Sequence, residues 1–476
     1  MWLDVFARIL VVLDWSILIY FLLVNSFYGL LLLAAAWELR QHVLQVRGES
    51  LWRVLGSPAA PSISVLVPAY NEAATIGESV KALLALHYPS LEVVVVNDGS
   101  KDSTMAVLLE QFELASIHLV YRQQIQTKPL RGRYRSRSHP NLVVVDKENG
   151  GKADALNAAL NLASGQLVCA IDADTLIESD GLQRMVRPFL MGDEVVAAGG
   201  TIRLVNGCRV VAGRVVRYRP PRRALVGFQV VEYLRAFLFG RLGWNRLGGN
   251  LIISGAFGLF RRKALLTVGG YARDTVGEDI ELILRLRRRG YEQDLARRVE
   301  FIPDPVAWTE APESLRALGR QRDRWQRGLA DAMWRHRRLL LNPRYGALGL
   351  VAYPYFFFVE LLSPLVEALG LLGLVIGLIL GAINLPFATL FLLVAYGYGL
   401  VLTGCTLVLE EMSYQRYEGL RDRLIVLFWV LLENFGYRQI NVFWRLRGLV
   451  KYLRGKTDWG AMERKGFSAS ARSPHS

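Results

Sequence analysis

The stretch QLVCAIDADTLIE, residues 166–178, decides how this chain is read. Gln166 to Ile171 is a short apolar run, the length of one buried strand. It stops abruptly at Asp172-Ala173-Asp174-Thr175. In extended backbone, residues i and i+2 point to the same side. Two carboxylates therefore leave the end of a strand in parallel. Like charges held this close raise each other's pKa unless a cation lies between them. A hard divalent cation resolves the repulsion, and Mg2+ is typically held by one or two carboxylates plus substrate phosphates. A loop in which Asp caps the next helix is the competing reading.

The neighbouring sequence repeats the pattern. Residues 62–86, SISVLVPAYNEAATIGESVKALLAL, read strand, turn, helix, with the strand ending at Pro68 and Asn71-Glu72 opening the helix. Residues 91–104, LEVVVVNDGSKDST, run into Asn97-Asp98-Gly99-Ser100 and a second helix. IHLVYR, residues 117–122, reads as a third strand, and residues 141–165 give strand, Gly-rich turn and helix again. Continuous Val/Ile runs alternating with helices predict an α/β domain, a mostly parallel sheet with helices on both faces. In such sheets ligands bind beyond the carboxyl ends of the strands. The polar clusters at 69–72, 97–99 and 172–174 all fall there.

Apolar residues make up 52% of the 476, and they are concentrated in blocks. Residues 17–37 are uncharged and long enough for a bilayer crossing of about 20 residues. Residues 361–383 and 387–409 are further candidates. Residues 424–444 are weaker, because Glu433, Asn434, Arg438 and Gln439 are costly facing lipid. The expected organisation is a transmembrane anchor and cytosolic linker over 1–56, a cytosolic domain over 57–343, interface and transmembrane helices over 344–445, and a basic cytosolic tail over 446–476. Lys and Arg number 57 against 42 acids, a formal net charge of +15. Short basic loops beside spans mark the cytosolic side. Together these predict a multi-pass protein of the inner (cell) membrane with its soluble domain in the cytosol. Nucleic-acid binding is the rival reading of the charge, but its position beside the spans favours anionic lipid headgroups, with no nucleic-acid partner. Cys169, Cys208 and Cys405 have no spacing for zinc or for a disulfide framework.

VPAYNE, VVVVNDGS, NGGKADALNAAL, DADT, SGAFGLFRR, GED and QRDRW occur in the order found in the family-2 glycosyltransferases. Over about residues 60–330 the chain resembles that family, in its membrane-embedded processive branch of bacterial poly-N-acetylglucosamine, hyaluronan and cellulose synthases. The resemblance implies a GT-A fold flanked by transmembrane helices and inverting, metal-dependent transfer from a UDP-sugar, most plausibly UDP-N-acetylglucosamine. It assigns Asp172 and Asp174 to Mg2+ or Mn2+ on the donor diphosphate, with Asp172 also able to meet the ribose. Pro68, Ala69, Tyr70, Glu72, Asp98 and Lys152 flank the nucleotide. Glu278 and Asp279 form the catalytic pair, with Asp279 as the base that deprotonates the acceptor. Glycine stands at 277 where the family usually has threonine. Ser254 and Gly255, and Gln321, Arg324 and Trp325 in Q-x-x-R-W spacing, meet the acceptor or the diphosphate.

Each assignment has a plainer alternative in the residues themselves. Asp98 suits an Asx turn with Gly99, Tyr70 a core position, and Lys152 a solvated helix start. Glu278 and Asp279 suit helix N-capping, Ser254 and Gly255 a turn into a strand, and Trp325 ordinary packing. Two other functions stay open: single transfer to a lipid acceptor, and a non-catalytic sensor of nucleotide sugars. A saccharide or lipid-linked acceptor, membrane lipids, and a homo-oligomer or accessory export subunit are the expected partners. Residues 122–140 and 203–225 receive no reading.

Overall fold

A computed structural model of the chain describes residues 2–48, 60–118, 121–211, 213–379, 381, 385–414, 417 and 419–456. Residues 49–56 of the expected linker and 457–476 of the expected tail lie outside the described residues. The chain divides into two compact units. One comprises 1–41, 222–249 and 312–458; the other comprises 42–221, 250–311 and 459–476. Residues 222–249 and 312–343, placed by the sequence pattern in one cytosolic domain, thus belong with the apolar segments.

The second unit is built on β1 (Ile63–Ala69), β2 (Leu91–Asp98), β3 (Leu114–Ser116), β4 (Leu130–Ser136), β5 (Leu142–Lys147), β6 (Leu167–Ile171), β7 (Leu176–Ile177), β8 (Val195–Leu204), β9 (Arg209–Val211), β10 (Arg214–Arg217), β11 (Phe257–Arg261) and β12 (Arg298–Thr309). Ten of these make one sheet in the order β3-β4-β5-β2-β1-β6-β11-β8-β12-β7, and β9 and β10 pair separately. The block β5-β2-β1-β6 is parallel, with Ala69 beside Asn97 and Asn97 beside Asp146. Both faces of this block are buried. Leu66, Val94, Val96, Val143 and Val145 pack with Ala155, Leu156 and Ala159 of the helix Lys152–Leu162 and with Leu282, Ile283 and Leu286 of the helix Glu278–Glu292. Val65, Val67, Val95 and Val144, on the alternate side of the pleat, are fully buried as well. Two-sided burial is why these strands read as unbroken apolar runs.

The sheet is mixed rather than mostly parallel. β11 is antiparallel to both β6 and β8, β7 to β12, and β4 to both β3 and β5. The expected third strand at 117–122 is also displaced: the strand is Leu114–Ser116, paired with 134–136, and residues 119–120 lie outside the described residues. The basic insert therefore supplies a strand, β4. One face is all arginine (Arg131, Arg133 and Arg135), and the other carries only Leu130 and Tyr134 beside Gly132 and Ser136, a weak apolar alternation. In the segment 203–225, β9 and β10 form a hairpin. Val210, Val215 and Tyr218 pack against Leu176, Val205 and Trp308, and the Tyr218 ring stacks on Trp308 at 5.1 Å.

In the first unit, Asp14–Val46 of the helix Trp2–Gly48 is long and apolar enough to cross a membrane. Helices Leu348–Leu361 and Ser363–Gly377 pass that test only as a pair, bent by 41°. The candidate at 387–409 is interrupted by a wider helical turn at Leu393–Gly397. The candidate at 424–444 is broken between the helices Leu420–Leu432 and Tyr437–Leu453, where Gly436 takes φ 85°. Two of the polar residues that weakened the last candidate are paired within the unit. Arg235 donates from Nη1 to Glu433 Oε2 at 2.9 Å, and Arg438 donates from Nε to Glu367 Oε2 at 2.9 Å. Pairing of this kind is how charged groups persist in apolar surroundings.

Candidate active site

Parallel strands bring their carboxyl ends to one edge, and four loops meet there. The loops after β1 and β2 are laced together. Asn71, held at φ 56°, donates its N–H to Ser100 Oγ at 3.0 Å and accepts from Lys101 N at 2.8 Å. Glu72 N donates to Thr104 Oγ1 at 2.8 Å, and Ala73 N donates to Asp102 Oδ2 at 3.1 Å. These ties occupy residues 71–75, so the helix starts at Ile76 rather than at Asn71-Glu72. Pro68 and Ala69 close β1, Tyr70 is 45% exposed beyond them, and the Glu72 side chain is buried and accepts from Thr75 Oγ1 at 2.9 Å.

Asp98, at the end of β2, is buried and organises the loop after β5. Its Oδ1 accepts from Gly150 N at 3.0 Å and from Lys147 Nζ at 2.6 Å; its Oδ2 accepts from Gly151 N at 2.8 Å. Asn149 Nδ2 donates to the Asp98 carbonyl at 2.8 Å. Gly99 adopts φ 66°, and a Cβ there would fall 2.8 Å from Asn149 N. Only glycine meets both demands. The loop then delivers Lys152 at the first position of the helix Lys152–Leu162.

Asp172 and Asp174 follow the end of β6 in a turn rather than in extended backbone, with Thr175 N donating to the Asp172 carbonyl at 3.0 Å, and both are half-buried. The turn between them is tied to the helix Ile76–Leu84 by Ser79 Oγ, which donates to Ala173 O at 2.8 Å. Because β11 is antiparallel to β6, with Phe257 beside Ile171, the start of β11 lies at the end of β6. Ser254 and Gly255 are thereby brought to the same edge. The helix Glu278–Glu292 adds Glu278 and Asp279 from its first turn.

Lys152 is the hub of this arrangement. Its Nζ lies 2.6 Å from Asp172 Oδ1, 3.6 Å from Glu278 Oε1 and 3.5 Å from the Gly255 carbonyl. A Cβ on Gly255 would sit 3.1 Å from Lys152 Nζ and 3.4 Å from Asp279 Oδ2. Burial pulls the Lys152 ammonium toward neutrality, but Asp172, Glu278 and Asp279 outweigh it and raise its pKa above the ordinary lysine value. Five of the residues singled out from sequence thus surround one small volume: Lys152, Asp172, Gly255, Glu278 and Asp279.

The donor chemistry of this edge bears on whether it can hold a divalent cation. Among the described residues no three His, Cys, Asp or Glu side chains form a cluster able to hold a metal ion. Asp172 and Asp174 are hard oxygen donors two residues apart at a strand end. That set fits a Mg2+ or Mn2+ site with few protein ligands, completed by substrate phosphates.

Gln321, Arg324 and Trp325 lie in the first unit, on the helix Leu315–Arg335, which Ser314 caps by accepting from Ala317 N at 3.2 Å. Trp325 is 44% exposed, with the Arg322 guanidinium 4.4 Å over its ring. Arg322 is held in turn by Glu232, which also accepts from Tyr437 Oη at 2.7 Å. Gln321 and Arg324 are half-buried beside it.

Sequence reasoning missed Lys147 and Asp154. Lys147 is fully buried, and Asp154 is 1% exposed. A lysine closing an apolar strand, followed seven residues later by an aspartate in a helix's first turn, was the available signal.

Comparison with known proteins identifies the family. The family model for glycosyl transferase family 2 matches residues 64–269, and that for glycosyl transferase family group 2 matches 167–402. The two matches run through well over half of the chain. The chain belongs to the family-2 glycosyltransferases. A poly-beta-1,6-N-acetyl-D-glucosamine synthase from Staphylococcus aureus is 28% identical over 274 residues, which cover 57% of this chain and 56% of that one. The homonymous Staphylococcus epidermidis enzyme matches to the same extent. The chain spans just over half the length of these curated relatives. A mannosyltransferase from Pyrobaculum calidifontis, solved with GDP-Man and Mn2+, shares the fold at a TM-score of 0.53 and 21% identity, over 90% of this chain and 99% of that one.

Proposed function

We propose that this family-2 glycosyltransferase transfers N-acetylglucosamine from UDP-N-acetylglucosamine, with inversion, to a growing β-linked polysaccharide at the cell membrane. The observation that carries the reading is the position of Lys152 Nζ, 2.6 Å from Asp172 and 3.6 Å from Glu278, with Asp279 beside Gly255. A cation and an acceptor-side carboxylate stand at one strand edge, as a displacement that expels a charged diphosphate requires. The staphylococcal relatives, named for synthesis of poly-β-1,6-N-acetylglucosamine, support the choice of sugar and product.

Asp172 and Asp174 would hold Mg2+ or Mn2+, which supplies Lewis-acid stabilisation of the leaving diphosphate. The Lys152 ammonium adds a fixed positive charge where that negative charge develops. Asp279 takes the proton of the acceptor hydroxyl as its oxygen bonds to the anomeric carbon and the bond to the diphosphate breaks. A single displacement of this kind inverts the anomeric centre. Gly255 leaves the acceptor side open because it has no side chain. Pro68, Ala69, Tyr70, Glu72 and Asp98 flank the nucleotide, and Ser254, Gln321, Arg324 and Trp325 serve the acceptor and diphosphate. The apolar helix Asp14–Val46 anchors the enzyme among lipids.

The test uses membranes containing the full chain, Mg2+ and a panel of radiolabelled UDP-sugars, with products separated by size and by organic extraction. Label from UDP-N-acetylglucosamine in long, water-soluble, glycosidase-sensitive material is the expected result. Label only in an organic-soluble, single-sugar product moves the acceptor to a lipid. No transfer from any donor overturns the reading.

A further inference from the structure

A fully buried lysine with no part in the proposed chemistry stands behind the site. Lys147 ends β5 with a side-chain exposure of 0%. Its three ammonium protons have three acceptors: Asp98 Oδ1 at 2.6 Å, Asp154 Oδ1 at 2.7 Å and the Glu148 carbonyl at 2.6 Å. An ammonium has three donors and no acceptor, so Lys147 is saturated.

Its two carboxylate partners reach the Gly-Gly loop by different routes. Asp98 accepts the amides of Gly150 and Gly151. Asp154, in the first turn of the helix that Lys152 begins, packs onto Gly150: a Cβ at Gly150 would fall 2.6 Å from Asp154 Cγ. Asp154 also accepts from Lys128 N at 3.1 Å and from Arg273 Nη1 at 3.1 Å. The loop carrying Lys128 is held to the same helix by Asn161, whose Oδ1 accepts from Gln124 N at 3.1 Å and from Ile125 N at 3.0 Å. The 149–151 loop is thus gripped by two buried aspartates, one from β2 and one from the helix, and Lys147 is the cation that both carboxylates share. Two carboxylates around one small loop repel, and burying one unpaired is expensive.

We infer that Lys147 is a positioning residue for donor binding, fixing the Gly-Gly loop through Asp98 and Asp154 so that Lys152 meets the donor diphosphate. This inference rests on the proposed function, because it takes the donor to be a nucleoside diphosphate sugar. Lys147 touches no substrate. It acts on affinity for the donor through the loop, and the turnover step is left to Lys152, Asp172 and Asp279.

The experiment compares detergent-purified full-length wild type and Lys147→Met. It measures UDP affinity with Mg2+ by calorimetry, donor KM and kcat, and hydrogen exchange of the Gly150 and Gly151 amides without ligand. Lys147→Met is expected to weaken UDP binding and raise donor KM by at least about tenfold. Its kcat at saturating donor is expected to fall far less, and both glycine amides to exchange faster. Should Lys147→Met fail to fold, the double variant Lys147→Met/Asp154→Asn replaces it. That variant removes one charge of each sign, and neutralising a buried pair together is better tolerated than breaking it. A folded variant with wild-type UDP affinity and wild-type exchange at Gly150 and Gly151 overturns the inference. A wild type that binds no UDP overturns the proposed donor instead, and the exchange comparison still decides whether Lys147 fixes the loop.

Discussion

Lys152 Nζ lies 2.6 Å from Asp172 Oδ1, so the carboxylate at the strand end already has a cationic partner within the protein. The ammonium offsets the charge of Asp172 beside Glu278, and in the proposed reaction it offers a positive charge to the diphosphate. Both roles disappear in Lys152→Met. Transfer is expected to fall by roughly 10²-fold or more in kcat/KM, since a charge-assisted contact that strengthens as charge develops is worth about 2–4 kcal/mol. Initial rates with radiolabelled donor check this. A loss under threefold removes Lys152 from the site.

In the proposed reaction Asp279 serves the acceptor and Lys152 the donor. Asp279→Asn keeps the shape and the hydrogen bond from Ile280 N, which stands at 2.8 Å in the native chain. It loses the negative charge and the ability to take a proton. Turnover is expected to drop by about 10²–10⁴-fold, with UDP affinity within about threefold of wild type. Retained turnover would identify another base, and lost UDP affinity would place Asp279 on the donor.

The alternating Val/Ile runs and the polar residues at their ends made β1, β2, β5 and β6, and hence the edge carrying the site, legible in the amino-acid sequence. Other features were hidden for identifiable reasons. β4 is an Arg-rich strand with only Leu130 and Tyr134 on its less polar face, so it gave too little apolar alternation to be read. Proximity of Gly255 to Asp172 depends on β11 running antiparallel to β6, and strand direction leaves no trace in a five-residue run. Lys147 closes a strand beside Asp146 and received no reading from the sequence, yet it is fully buried. Its burial depends on Asp98 and Asp154, which stand on two other elements, β2 and the helix Lys152–Leu162. Local patterns locate strand ends; they do not show which buried charges face one another across strands.

Gly255→Ala probes the packing between Lys152 and Asp279 directly. The new methyl would sit 3.1 Å from Lys152 Nζ and 3.4 Å from Asp279 Oδ2. Contacts that tight push both groups by a few tenths of an ångström, and catalytic geometry is sensitive to such shifts. The expected outcome is a folded protein whose melting temperature matches wild type and whose transfer rate is lower by about tenfold. Unchanged kinetics would show that the site has slack at Gly255.

Asp174→Ala removes one hard oxygen donor from the strand end and leaves the Lys152–Asp172 pair in place. UDP binding in Mg2+ or Mn2+ is expected to fall to the level that wild type shows in EDTA, and added metal is expected to leave the variant unchanged. Wild-type affinity in the variant, still abolished by EDTA, would assign the metal to other ligands.

The buried network also makes a prediction about acid. Burial alone would raise the Asp154 carboxyl, but Lys147, the Lys128 amide and Arg273 outweigh it and hold its pKa below the usual aspartate value. A carboxyl whose pKa is lower folded than unfolded stabilises the fold above the unfolded value, and that stability is lost as pH falls through the folded one. Asp154 therefore stabilises fully at neutral pH, and its contribution declines below about pH 4. Melting temperatures measured in steps from pH 6 to about pH 3 are expected to fall less steeply for Asp154→Asn than for wild type below that point. At pH 7 the variant is expected to melt lower, because Lys147 and Arg273 lose a charged acceptor they share. Parallel curves at every pH would mean that Asp154 binds its proton equally well in both states, and that the cations around it do not hold its charge.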